Sequence, residues 1–232
     1  MEATINQTTF GLGRNREGSF TLQITENHSH WSLVCGNIPA EKINMNGLEP
    51  GAITSLLAKL GTADPVVPVL SLQTLAQEFD FARVGRAPAR FDSQELEALN
   101  AKLLHETPYS DVAPRLEAFG ANEAIWNAIS GNVTRLADVQ NWMNVIAGEI
   151  DPVIEDATML DEASNLVPDQ LDENSWSSFT NAIKERTGAK GKKLFMPLRL
   201  ALTGQARGPE MAVMLPLIGA TKARARLKGE RA

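Results

Sequence analysis

The sequence predicts a mainly α-helical protein, short helices packed as bundles, preceded by a small β-hairpin segment. Three observations carry that prediction. Apolar residues recur at helical spacing from Gly47 onward, glycine or proline stands at the edges of most such stretches, and only the first forty residues alternate polar with apolar. The 232 residues are 43% hydrophobic and 22% charged, enough to bury a core and too apolar for disorder.

In chain order, Phe20, Leu22 and Ile24 alternate with polar neighbours, and Trp31-Ser32-Leu33-Val34-Cys35 repeats the pattern after a polar turn, which predicts a hairpin within residues 1–40. Pro50 opens a helix carrying Ile53, Leu56, Leu57 and Leu60, and Gly61 stops it. Pro65 and Pro68 make Thr62–Leu70 an extended connector, after which Leu72, Leu75, Ala76 and Phe79 mark a short helix. Phe91-Asp92-Ser93-Gln94-Glu95-Leu96 reads as a capped start: Asp92 accepts the first free amides, Glu95 reaches back, and Phe91 staples onto Leu96. That helix ends near His105, before Pro108. Further helices are expected at Val112–Phe119, Ala121–Ser130 and Arg135–Ile146, with loops and one short helix in 149–173. Trp176, Phe179 and Ile183 stripe a helix that Gly188 ends. Leu194, Leu198, Ala201 and Leu202 stripe the next, with Pro197 in its first turn and Gly204 as stop. Met211, Met214, Leu215 and Ile218 form one more, stopped by Gly219, before a basic helix closes the chain. Trp126, Trp142 and Trp176 all fall at core spacing.

Several function classes drop out. No apolar run approaches the roughly 18 residues of a membrane span, and the N-terminus has neither the basic start nor the apolar stretch of a secretory signal. A single cysteine, Cys35, excludes an internal disulfide and a thiolate metal cluster, so a cytoplasmic setting with no metal or cofactor is expected. His28 and His30 read as a solvated turn rather than a metal grip. Gly188-Ala189-Lys190-Gly191-Lys192-Lys193 fails as a phosphate loop because Arg186 stands where the first glycine is needed and Lys193 replaces the Ser/Thr. No catalytic residues are expected.

Charge is uneven along the chain. The net charge is −6, yet Glu149–Glu173 holds nine acids and no base, while Lys184–Ala232 holds twelve bases against three acids. Local fields decide what binds where, so the last quarter could hold phosphates although the whole is acidic. Within it, Lys190, Lys192, Lys193 and Arg199 lead into Thr203-Gly204-Gln205-Ala206-Arg207-Gly208-Pro209, a tight corner between two helices where Gln205 and Arg207 offer donors to single-stranded nucleotides.

Gly191-Lys192-Lys193-Leu194-Phe195-Met196-Pro197-Leu198-Arg199-Leu200-Ala201-Leu202-Thr203-Gly204-Gln205, followed by Gly208-Pro209-Glu210, resembles the C-terminal anticodon-binding region of bacterial glutamate–tRNA ligases, class I aminoacyl-tRNA synthetases. Leu48-Glu49-Pro50 through Leu57-Ala58-Lys59-Leu60-Gly61-Thr62-Ala63-Asp64-Pro65 and Phe79-Asp80-Phe81 through Gly85-Arg86-Ala87-Pro88-Ala89-Arg90-Phe91-Asp92 agree in family order, so the likeness runs from Gly47 to Leu227, 181 of 232 residues. The resemblance implies a stem-contact-like helical domain over 41–107 and anticodon-binding domains over 108–232, divided into 108–172 and 173–232, with 1–40 unmatched. It places Gly208, Pro209 and Met211 on nucleotide-contact positions, and Arg207 joins them on charge. A second reading position falls near Asn132, where family members carry an arginine and Arg135 is the nearest base here. The family's ATP-binding signatures are absent, since Ala40-Glu41-Lys42-Ile43-Asn44-Met45-Asn46 offers only Lys42. The expected function is therefore tRNA binding, with tRNA(Glu) as partner, a separate catalytic chain as a second partner, and no charging activity alone. The alternative is a regulatory or protein-interaction module on a synthetase-derived scaffold, motivated by the acidic stretch and the unmatched N-terminus.

Overall fold

The computed structural model describes residues 47–69, 71–85 and 92–232, together with the backbone of four strands before them. Those strands, β1 (Glu2–Ile5), β2 (Thr8–Arg14), β3 (Phe20–Glu26) and β4 (Ser29–Cys35), form one antiparallel sheet in the order β1-β2-β3-β4. Leu22 stands opposite Leu33 and Ile24 opposite Trp31. The sequence gives no warning of β1 and β2, because Gly11 and Gly13 interrupt the alternation that marks a strand. The Phe91 staple, the Ala40–Asn46 stretch and the side chains of His28, His30 and Cys35 lie outside the described residues.

From Gly47 the chain is helical: α1 (Pro50–Lys59), α2 (Leu72–Glu78), α3 (Ser93–Glu106), α4 (Tyr109–Leu116), α5 (Glu123–Ile129), α6 (Val139–Ile146), α7 (Ala157–Leu166), α8 (Ser175–Thr187), α9 (Lys192–Thr203), α10 (Met211–Ile218) and α11 (Ala220–Leu227). The protein is thus mainly α, as the periodicity predicts. The chain divides into two compact units, Met1–Leu103 and Leu104–Ala232. In the first, Leu48, Ala52 and Leu56 pack with Leu96, Leu99 and Leu103. Asp92 accepts the Gln94 N–H at 2.8 Å at the start of α3.

The second unit holds one continuous apolar cluster from Leu104 to Leu227, running across the expected boundary at 172/173. Helix α7 packs on α8 and α11, and α10 packs on α6 and α8. Glycines do the stopping: Gly188 and Gly204 close α8 and α9 in left-handed backbone, and each returns its N–H to a carbonyl four residues back. Gly188 and Gly191 are thus helix punctuation, which accounts for the phosphate-loop look of that stretch.

Two local expectations need correction. Pro197 is the sixth residue of α9, in its second turn rather than its first, so no N–H at 197 can close onto the Lys193 carbonyl. Helix α6 begins at Val139 rather than Arg135, because Leu136–Asp138 winds as a tight 3-10 turn.

The charge asymmetry also has a structural outlet. Arg224 pairs with Asp169 at 2.5 Å, Arg186 with Glu162 at 3.0 Å, and Arg231 with Asp151 at 3.5 Å and Glu149 at 3.7 Å. Acidic and basic segments meet within one unit, so the bases of the last quarter are not all available to a ligand. One of them, Arg226, is buried with 0% exposure.

Candidate nucleic-acid interface

The corner after α9 is built from local chemistry outward. Thr203, buried in the last turn, donates its hydroxyl to the Arg199 carbonyl at 2.7 Å and accepts the Gln205 N–H at 3.2 Å, which starts the bend. Gly204 then takes φ +70° and bonds back to Leu200 at 2.8 Å. Ala206, Arg207 and Glu210 stand exposed, Gln205 and Gly208 are half-buried, and Pro209 and Met211 are buried.

Gly208 adopts φ +150°, where a side chain is strained, and it has no room for one. A Cβ there would collide with Cη2 of Trp142 and stand 3.0 Å from Cζ3 of the same ring. Trp142, on α6, is 6% exposed and donates its indole N–H to the Asn132 carbonyl at 3.3 Å. The second segment singled out in the sequence is therefore brought to the other end of the same indole. Asn132 is exposed and Arg135 half-buried.

Asp138 organises that turn. Its Oδ2 accepts the Thr134 N–H at 2.9 Å, the Thr134 hydroxyl at 2.8 Å and the Arg135 N–H at 2.9 Å. Burial works to raise this carboxyl, but the hydrogen bonds from Arg135 and Thr134, with the Arg135 charge, outweigh it and hold it below its ordinary value.

Arg199 lies beneath the corner. One arm of its guanidinium, Nη2, donates to the Pro209 carbonyl at 2.8 Å, so the residue helps build the corner as well as border it. The other arm, Nη1, is buried without a hydrogen-bond partner, and burial pulls the group below the ordinary guanidinium range. A cleft of about 300 Å³ lies here, lined by Trp176, Phe195, Arg199, Glu210, Met211 and Ala212. Trp176 and Phe195 stand 6.3 Å apart at 41°, Phe195 is 40% exposed, and Lys184 Nζ lies 5.6 Å from the Phe195 ring centroid. Trp126 and Trp142 are core residues, whereas Trp176 is half-buried with a face on this cleft. Lys190, Lys192 and Lys193 are exposed around the start of α9.

Sequence reasoning missed Arg226, which ties α6, the helix after the Asn132–Arg135 turn, to α9, the helix before the corner. It donates to the carbonyls of Val145 and Leu202 at 2.8 Å each, of Ala232 at 2.8 Å and of Gly148 at 3.2 Å. The first two are in the last turns of α6 and α9, which carry Trp142 and Arg199. Burial pulls the guanidinium down to about 10, still high enough to keep it charged near neutrality. A signal was available: Ala223, Arg226 and Leu227 share one helical face, and the two apolar ones are core. Asp138 left no comparable sequence trace.

A family model described as an anticodon binding domain matches residues 154–230. Glutamate–tRNA ligase 1 of Maricaulis maris is 50% identical over 196 residues, 83% of this chain and 44% of the relative. Glutamate–tRNA ligase 2 of Methylorubrum populi is 42% identical over 220 residues, 93% of this chain and 49% of the relative. The chain therefore spans just under half the length of these relatives. The glutamate–tRNA synthetase of Elizabethkingia anophelis shares the fold at a TM-score of 0.64 and 19% identity, over 90% of this chain and 44% of that one. Residues 154–230 thus match the anticodon binding domain family, within a chain that is similar to glutamate–tRNA ligases over most of its length.

Proposed function

We propose that this chain binds tRNA through its second unit and reads anticodon nucleotides at the Gln205–Pro209 corner, the cleft beneath it and the Asn132–Arg135 turn, with tRNA(Glu) as the cognate partner. One observation carries the reading. Arg199, whose buried Nη1 has no acceptor, lines a cleft together with Trp176 and Phe195. A buried unmet donor costs stability unless a ligand supplies the acceptor. An unstacked base supplies both a ring to lie against aromatics and carbonyl or ring-nitrogen acceptors on its edge. A phosphate alone would need no aromatic wall.

In this reading Lys190, Lys192, Lys193 and Arg207 hold the backbone. Gly208, Pro209 and Met211 shape the pocket with Gln205, and Asn132 and Arg135 meet a second base. Glutamate activation, in the cytoplasm, falls to a separate catalytic chain.

A filter-binding titration with tRNA(Glu) and with a tRNA of unrelated anticodon, at two salt concentrations, tests this. Arg199→Lys keeps the charge but not the planar fork, and it should weaken tRNA(Glu) binding roughly tenfold while leaving the unrelated tRNA unchanged. Lys192→Gln with Lys193→Gln should weaken both tRNAs alike and reduce the salt slope by about 2. No binding of tRNA(Glu) tighter than about 10⁻⁴ M, the weak end of non-specific affinity, removes the proposal. ATP–pyrophosphate exchange with added lysate fractions tests the catalytic partner, and silence in every fraction removes that part alone.

A further inference from the structure

Trp142 is engaged at both ends. Its N–H donates to the Asn132 carbonyl, and the far edge of its six-membered ring lies against Gly208, 66 positions away in sequence. The core residue Trp126 also donates its N–H to a backbone carbonyl, that of Thr107, so what sets Trp142 apart is its opposite edge, which meets a glycine backbone with no room for a methyl. The indole is one rigid plate, buried, with no torsion between its two points of contact. Its mount is also fixed, because Arg226 holds the Val145 carbonyl in the last turn of α6 and the Leu202 carbonyl in the last turn of α9.

We infer that Trp142 is a specificity-determining positioning residue, a strut that sets the separation between the Asn132–Arg135 turn and the Gln205–Pro209 corner. Through it, the nucleotide read at one segment depends on the geometry of the other. This rests on the reading above, in which both segments face the anticodon. Trp142 itself touches no nucleotide. It acts through the two backbones it joins, and the discrimination it supports is spread over two bases rather than confined to one.

The test uses the full chain and tRNA(Glu) transcripts in which each anticodon base is replaced in turn. Affinities are measured at a temperature where circular dichroism shows every variant folded. Asn132→Ala and Arg207→Ala identify which base replacement each segment responds to. Trp142→Phe keeps a ring in the core but removes the donor and shortens the plate. It should erase about fivefold of discrimination at both bases together, the scale of one hydrogen bond. Its affinity for a tRNA of unrelated anticodon should stay unchanged, which a merely loosened fold would not achieve. Gly208→Ala approaches from the other end: by displacing the indole it should weaken discrimination at the base assigned to Asn132, although Gly208 is not part of that turn. Should Trp142→Phe fail to fold, this cross-effect alone decides the matter. Folded variants that lose discrimination at one base only, or at none, overturn the strut while the function reading stands. A wild-type chain indifferent to every anticodon base overturns both.

Discussion

The two segments that meet on Trp142 are held in place by opposite means. The Gln205–Pro209 corner is fixed chiefly by shape: Gly208 sits at φ +150° against the indole, Gly204 at φ +70° ends α9, and the side chains that bond its backbone, Thr203 and Arg199, carry no carboxylate. The Asn132–Arg135 turn is fixed by charge, with one oxygen of Asp138 gathering three donors. A site fixed by shape fails when volume is added and ignores pH. A site fixed by a carboxylate tolerates volume and fails in acid. Joining one of each gives a surface whose two halves respond to different insults, and that difference can be broken experimentally.

The largest effect is expected where the two halves share a root. Arg226→Met leaves the carbonyls of Val145 and Leu202 buried without their donor, and each such group costs about 1–3 kcal/mol. A loss of about 3 kcal/mol or more in urea unfolding is expected, with tRNA binding impaired at both segments. A loss below about 1 kcal/mol would show that water replaces the guanidinium there. Next comes Gly208→Ala, which adds backbone strain to a collision with a rigid ring and should cost about 2–4 kcal/mol by the same measurement, equally at pH 5 and pH 8. A methyl tolerated at under about 0.5 kcal/mol would mean that the indole moves freely, which contradicts a shape-fixed corner.

Asp138→Asn should cost less, about 1 kcal/mol, because the turn is partly exposed and an amide still accepts from some of the donors. Its pH dependence is the sharper observation. The native turn holds Asp138 below its ordinary value, so folding favours the ionised form. That stability is complete above the unfolded carboxylate range and is lost as pH falls through the native value. The gap between wild type and Asp138→Asn should therefore be widest near neutrality and close in acid. A gap that widens in acid would mean that the carboxylate is not what holds the turn. The smallest effect is expected for Arg224→Gln, which removes an ion pair to the exposed Asp169 and should change stability by less than about 1 kcal/mol, falling further in high salt.

Most of the helical scaffold was legible because its punctuation is chemical. Gly61, Gly188, Gly204 and Gly219 all adopt positive φ where the periodicity places a stop, and Trp126, Phe179, Leu198 and Leu202 are buried where spacing places a core. The corner itself was legible for the same reason: Gly and Pro announce a turn whatever surrounds them. What joins the corner to the rest was not. The Gly208–Trp142 contact joins α6 to the distant loop between α9 and α10, and nothing in either neighbourhood encodes it. Arg199 and Arg226 look like phosphate-binding charge in a one-dimensional count, yet one props up Pro209 and the other is wholly interior. Asp138 hid because Arg135 stands where a capping box carries Ser or Thr, although the carboxylate takes the Arg135 N–H as the acid of such a box does.

The interior guanidinium of Arg226 has a bearing on biosynthesis. Arg226 follows its acceptors Val145 and Leu202 by 81 and 24 positions, so the terminal carbonyls of α6 and α9 lack this donor until α11 has been made and has packed. Chains lacking that residue should hold their helices yet leave the Gln205–Pro209 corner unlocked, vulnerable to protease between α9 and α10. Docking of α11, rather than assembly of the bulk of the bundle, is then the step that fixes the corner.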